Sequence, residues 1–123
     1  MSRASQGLAP EIYGDGEQTR DFTFIDDAID ATLIAAVSPA AVGKVFNVGT
    51  GIETNVNTLA RQVLTIYGLA SEPTHIEKRD IDTVRRRVVN IERIGRVLGW
   101  APRVALNEGL RQTHRWFSES KAA

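Results

Sequence analysis

Two periodicities alternate along the chain. Short apolar runs bounded by turn residues, the mark of strands, give way to longer stretches whose apolar positions recur every three or four residues, the mark of amphipathic helices. Glu11-Ile12-Tyr13 predicts a first strand, which runs into Gly14-Asp15-Gly16, where Asp-Gly supplies the positive φ that a hairpin turn demands. Arg20 to Ile25, aromatic and β-branched, predicts the second. Asp26-Asp27 then places carboxylates over the free N–H groups of a starting helix, with Ile29, Leu33, Ala36 and Val37 predicted to face inward and Pro39 to end it. Val45-Phe46-Asn47-Val48 predicts a compact strand closed by Gly49-Thr50-Gly51. A second helix follows, with Val56, Leu59, Val63, Ile66 and Tyr67 on one side and Gly68 as its C-terminal stop. His75 to Lys78 and Val84 to Val89 are further strand candidates. A short helix from Asn90 turns Ile91, Ile94, Val97 and Leu98 inward and stops at Gly99-Trp100-Ala101-Pro102. The last helix carries Leu106, Leu110, Thr113 and Phe117 on one stripe, with Trp116 beside it. This alternation predicts an α/β (α+β) fold, a small mixed sheet with about four helices.

Composition fits one domain over residues 1–123. The chain has 123 residues, 42% of them apolar, enough to bury roughly two-thirds of the surface its unfolded form exposes. It contains no cysteine, which excludes disulfides, thiol catalysis and cysteine-built zinc sites and makes the cytoplasm the expected compartment. No window approaches the ~20 apolar residues of a membrane span, and the N-terminus lacks a signal-like apolar run, so a protein without membrane attachment is expected.

Net charge is zero but unevenly placed: residues 1–60 carry 3 basic and 8 acidic side chains, residues 61–123 carry 12 and 7. Twelve of the 15 basic residues are Arg, whose planar fork suits bidentate recognition of phosphate or carboxylate. Arg85-Arg86-Arg87 raises the question of nucleic acid. Strand alternation puts Arg86 opposite to its neighbours, and zero net charge gives no long-range attraction to a polyanion, so no nucleic-acid partner is expected. His75 and His114 stand apart from any carboxylate-rich spacing, and no metal site is expected.

The run Ile12-Tyr13-Gly14-Asp15-Gly16-Glu17-Gln18-Thr19-Arg20-Asp21-Phe22-Thr23-Phe24-Ile25-Asp26-Asp27 closely resembles the segment that opens the substrate-binding part of extended sugar epimerases and dehydratases. The resemblance continues through Lys44 to Gly51, Arg79 to Arg87, Leu98 to Pro102 and Glu108 to Thr113 with Trp116-Phe117, in family order and spacing. It spans essentially the whole chain. The chain is thus similar to the C-terminal, nucleotide-sugar-binding part of the NAD-dependent epimerase/dehydratase family, extended short-chain dehydrogenase/reductases of the UDP-glucose 4-epimerase type.

The resemblance implies that Arg20 reaches the pyrophosphate of a UDP- or dTDP-sugar, a role suited to a guanidinium at a strand end; the residues alone also allow it to pair with Asp15 or Glu17 across the turn. Gln18 is implied to orient Arg20 or touch a sugar hydroxyl, or is a plain turn residue. Arg79 and Asp82 stand where the family has an Arg-Pro-Gly-Asp run whose Arg binds phosphate and whose last residue contacts the ribose. Asp80 and Ile81 replace the Pro and Gly, which changes the backbone freedom of that loop and leaves Arg79 open to a salt bridge with Asp80 instead. Asn47 resembles a phosphate-contacting residue of dehydratase-like members, or closes its strand end by bonding backbone.

Family members bind NAD through a Gly-rich turn in a Rossmann half and move protons with a Tyr followed four residues later by Lys. In this chain Tyr13 is followed at that spacing by Glu17 and Tyr67 by Ser71, and Gly49-x-Gly51 is followed by Thr54 where the fingerprint needs its third Gly. The expectation is therefore a truncated nucleotide-sugar epimerase/dehydratase portion that binds no NAD and is inactive alone. Two alternatives stand beside it: a non-catalytic interaction or scaffold protein that keeps the fold, and a split subunit completing a separate Rossmann partner. Apolar surface left open by the missing half predicts self-association into a homo-oligomer.

Overall fold

A computed structural model describes residues 1–80 and 83–122. Each apolar run of the first half is short, and so are the strands: β1 is Glu11–Tyr13, β2 Thr19–Arg20, β3 Thr54–Asn55 and β4 Thr74–Ile76. The helices are α1 (Ile25–Val37), α2 (Val56–Ile66), α3 (Glu92–Leu98) and α4 (Leu106–Ala122). The fold is mixed α/β with four α-helices among the described residues, and its strands form two separate two-stranded ladders. β1 pairs parallel with β4, Ile12 opposite His75. β2 pairs antiparallel with β3, Arg20 opposite Thr54.

The turn after β1 therefore closes no hairpin; it carries the chain from one ladder to the other. Gly14 and Gly16 take the left-handed positions at φ 77° and 73°, and Asp15 does not. A Cβ on Gly16 would overlap the side chain of Asn57 at the start of α2. That asparagine is buried and fastens the turn by donating to the Asp15 carbonyl at 2.9 Å and the Glu17 carboxylate at 2.7 Å, while its own oxygen lies 2.9 Å from His75 Nε2. Asn55 caps α2, its side chain accepting the N–H of Thr58 at 2.8 Å.

β2 is flanked on both sides. Its Gln18 and Arg20 edge faces β3 and Val56, and Thr19 donates its N–H to the Arg85 carbonyl at 2.8 Å and accepts from Arg87 N–H at 3.2 Å. The predicted strand at 84–89 is thus an extended stretch beside β2 rather than a full ladder. The strand predicted over 20–25 stops at Arg20, because the chain turns to deliver Phe24 against Gly109 of α4, where a Cβ would sit 2.9 Å from the Phe24 ring.

α1 begins where Asp26 and Asp27 predict, but it turns a different face inward. Ala31 and Ile34 meet the core, whereas Leu33 and Val37 are 60% and 81% exposed. Asp27 is buried, and its two oxygens accept the N–H groups of Arg103 at 3.0 Å and Val104 at 3.1 Å, tying the start of α1 to the approach to α4. The core around Ala31, Ile94 and Trp100 is completed by Ile34, Phe46, Ile91 and Leu98. Residues 45–48 contribute Phe46 to it without forming a strand among the described residues, and Val45 faces out. α3 turns Ile94 inward as predicted and ends on Gly99 at φ 67°. No helix among the described residues is long and apolar enough to cross a membrane.

Candidate functional site

Four stretches meet at one small hollow of about 20 Å³: the turn after β1 (Tyr13, Gly14, Asp15), β2 with its approach (Gln18, Arg20), the exit of β4 (Lys78) and the extended stretch beside β2 (Val84, Arg85). Three cationic side chains and a single carboxylate line it. Such an excess of positive charge in a concave place favours an anion. Larger hollows exist, one of about 630 Å³ between residues 23–26 and Gln112, Thr113 and Trp116 of α4 and one of about 380 Å³ lined by Asp26, Asp27 and Asp30 with Arg103, but neither brings a group of cations together. Chemistry, not volume, singles out the small one.

Arg20 sits half-buried at the end of β2, its Nη1 donating to the Thr19 carbonyl at 2.7 Å. Its partner is not Asp15. That carboxylate is held bidentately by Arg85, at 2.9 Å and 3.0 Å, and accepts the Glu17 N–H at 3.0 Å. Hydrogen bonding to Arg85, followed by the Glu17 N–H, lowers the Asp15 carboxyl from 3.8 to about 2. The neighbouring Arg86 turns to the other side and grips Glu53 at 2.9 Å and 2.8 Å. The alternation expected of the three arginines thus divides Arg85 from Arg86, and only Arg85 reaches the hollow.

Gln18 donates from Nε2 to the Tyr13 carbonyl at 3.3 Å, bracing the same turn. Arg79 lies with its guanidinium 4.3 Å from the centre of the Tyr13 ring, a cation–π contact at the rim. Asn47 is not among the lining residues; its Nδ2 donates to the Asn90 carbonyl at 3.3 Å. Asp82 lies outside the described residues. Tyr13, Lys78 and Arg85 are members of the lining that the sequence reading does not single out. Arg85 had a signal in the density of arginine over 79–87, but only its backbone pairing with Thr19 decides which of the three faces the hollow.

The Gly49-Thr50-Gly51 loop does not fit a dinucleotide pyrophosphate. A phosphate-cradling turn needs free N–H groups, and here those of Thr50 and Gly51 both point at the carboxylate of Asp21, at 2.8 Å and 2.9 Å. Partial burial pushes the Asp21 carboxyl up, and the Thr50 hydroxyl with the N–H groups of Thr50, Gly51 and Val89 overcomes it, so that it titrates below the ordinary range. Among the described residues no group of three His, Cys, Asp or Glu side chains is placed to hold a metal ion.

Residues 1–113 match the family model described as GDP-mannose 4,6 dehydratase. The chain is 42% identical over 111 residues to a UDP-glucose 4-epimerase of Mycolicibacterium smegmatis, covering 90% of this chain and 35% of that protein. Among solved structures, the UDP-glucose 4-epimerase of Thermotoga maritima, determined with UDP-glucose, matches with a TM-score of 0.89 at 36% identity, over 97% of this chain and 38% of its own. A UDP-glucuronic acid 4-epimerase of Bacillus cereus, determined with NAD, matches with a TM-score of 0.81 at 25% identity, over 96% and 37%. The chain spans little more than a third of the length of these relatives.

Proposed function

Since the chain belongs to the NAD-dependent epimerase/dehydratase family, we propose that it is the nucleotide-sugar-binding portion of such an enzyme, gripping the diphosphate of a UDP- or dTDP-sugar through Arg20. The observation that carries this reading is the convergence of Arg20, Lys78 and Arg85 on one hollow beside the Gly14–Gly16 turn. A guanidinium at a strand end can offer two parallel charge-assisted bonds to phosphate oxygens, and the flanking cations make the potential of the same place more positive, which favours an anion. Gln18 keeps the turn in shape, Arg79 backs the Tyr13 ring, and Asp82 is left to the nucleoside; Asn47 serves the chain by bonding backbone.

Size limits what this portion does alone. The hollow of about 20 Å³ has room for little more than a water molecule, whereas ligand sites run to roughly 300–1,000 Å³. In this reading the chain supplies one wall of a cleft, and the other wall belongs to polypeptide of the kind that fills the remaining length of its relatives. NAD goes with that second wall, since the Gly49-Thr50-Gly51 loop is committed to Asp21. The chain by itself then holds no NAD and turns over no sugar, in keeping with its lack of a Tyr-x-x-x-Lys pair.

A specific observation favours the split-subunit form of this proposal over an inert scaffold. Ile25, Ile29, Leu33 and Val37 recur every fourth residue along α1 and are all exposed. An apolar stripe of this kind is covered in a complete structure. Its natural cover is a Rossmann partner in the cytoplasm, and in isolation a second copy of the chain.

The test is calorimetric titration with UDP, UDP-glucose and dTDP. At least one of them binds the wild-type chain, and Arg20→Ala weakens it by about 1.5–3 kcal/mol, the worth of a charge-assisted contact. Identical titrations of the two proteins would leave only the kinship of fold.

A further inference from the structure

Arg20 and Asp21 are consecutive at the end of β2, so their side chains leave opposite faces of the strand. Arg20 goes to the hollow. Asp21 goes the other way, and both its oxygens are engaged. Oδ1 accepts the Thr50 N–H at 2.8 Å and the Thr50 hydroxyl at 2.6 Å; Oδ2 accepts the Gly51 N–H at 2.9 Å and, more weakly, the Val89 N–H at 3.5 Å. The Thr50 oxygen in turn accepts the Ile52 N–H at 3.1 Å. Three stretches far apart in sequence are thereby fastened at one carboxylate. The fit leaves no slack, because a Cβ on Gly49 would overlap Val89 and come within 2.8 Å of Asp21 Oδ2.

This fastening matters because β2 is only two residues long. So short a ladder does little to hold its own register. Backbone bonds to 85–87 and to β3 and Val56 hold Gln18 to Arg20 on both sides, and beyond Arg20 the grip on the strand end is the side chain of Asp21. The donors are all N–H or O–H groups, so an acceptor-only side chain is required; an amide in its place would turn an NH₂ towards other donors.

We propose that Asp21 is the positioning residue for Arg20: without touching the ligand, it locks the end of β2 to the 49–51 loop and to Val89, so that the guanidinium fork is aimed at the diphosphate. The inference rests on the reading that Arg20 meets the diphosphate of a nucleotide sugar. It adds a residue that the chemistry of phosphate binding alone does not point to.

The experiment is a double-mutant cycle read by UDP affinity, with thermal melting measured on every variant. Asp21→Asn weakens UDP binding about tenfold in the wild-type background but less than about threefold in Arg20→Lys, because a lysine on a flexible stem is a point charge with no fork to aim. Should Asp21→Asn fail to fold at the assay temperature, Thr50→Val, which removes one of the four donors and keeps the carboxylate, takes its place in the same cycle, with about a threefold loss expected against none in Arg20→Lys. Equal losses in the two backgrounds, or unchanged affinity in Asp21→Asn, overturn the inference. A wild-type chain that does not bind UDP sinks the nucleotide-sugar reading itself, and the positioning role with it.

Discussion

The face around β2 and the outer face of α1 are built on opposite terms. Around β2 nearly every polar group has a partner inside the chain: Asp21 takes four donors, Asp15 is clasped by Arg85, Glu53 by Arg86 and Thr19, and Asn57 links the turn to α2. Along α1, four large aliphatic residues lie open to solvent while Ala31 and Ile34 take the core. The first face has its polar side chains paired within the chain, and what it leaves open is the small hollow at Arg20, in the proposed reading one wall of a cleft. The second leaves large aliphatic side chains open, and under the proposal above it is the face that a partner covers.

Core truncation gives the largest effect and sharpens this contrast. Ile94, 1% exposed between Ala31 and Trp100, should lose about 2–5 kcal/mol of unfolding free energy on substitution by Ala. Leu33→Ala on the open stripe should stay within about 0.5 kcal/mol in urea melts at low protein concentration. Where the stripe does mediate self-association, Leu33→Glu lowers the light-scattering mass at micromolar protein. A Leu33→Ala loss as large as that at Ile94 would show the stripe already packed, and the contrast would fail.

A smaller effect tests the polar face. The folded-state pKa of Asp15 is depressed from 3.8 to about 2. The stabilisation that goes with this is present above the unfolded value near pH 4 and is lost as pH falls through the folded value. Melting temperature should therefore drop between pH 4 and pH 2 more steeply in the wild type than in Asp15→Asn. The difference should shrink in 0.5 M salt, since the pair is exposed and screened. Parallel curves for the two proteins would remove the clasp from the account.

Much of this was legible in the sequence, and the limits are physical. Helix positions followed from apolar spacing and stop signals, as at Gly99 after α3. The inward face of α1 did not, because that helix is apolar on two sides and periodicity favours the bulkier stripe, Ile29, Leu33 and Val37, which this chain leaves uncovered. The Asp-Gly turn suggested a hairpin; pairing of β1 with β4, some sixty residues on, is a tertiary outcome that no local signal encodes. At the site, Arg20 and Gln18 came from a contiguous motif that resembles a family segment. Lys78 and Arg85 were missed because their membership depends on tertiary pairings, that of β4 with β1 for Lys78 and that of 85–87 with Thr19 for Arg85. Asp21 was hidden differently: one carboxylate in an Arg-Asp-Phe run is unremarkable until the 49–51 loop is folded onto it.

The central claim is that the hollow at Arg20 recognises a diphosphate, and the most direct measurement compares UDP with uridine on the same chain. UDP should bind at least about tenfold more tightly than uridine, and Arg20→Ala should erase most of that difference while leaving uridine unaffected. Equal affinity for UDP and uridine in the wild type would contradict the account.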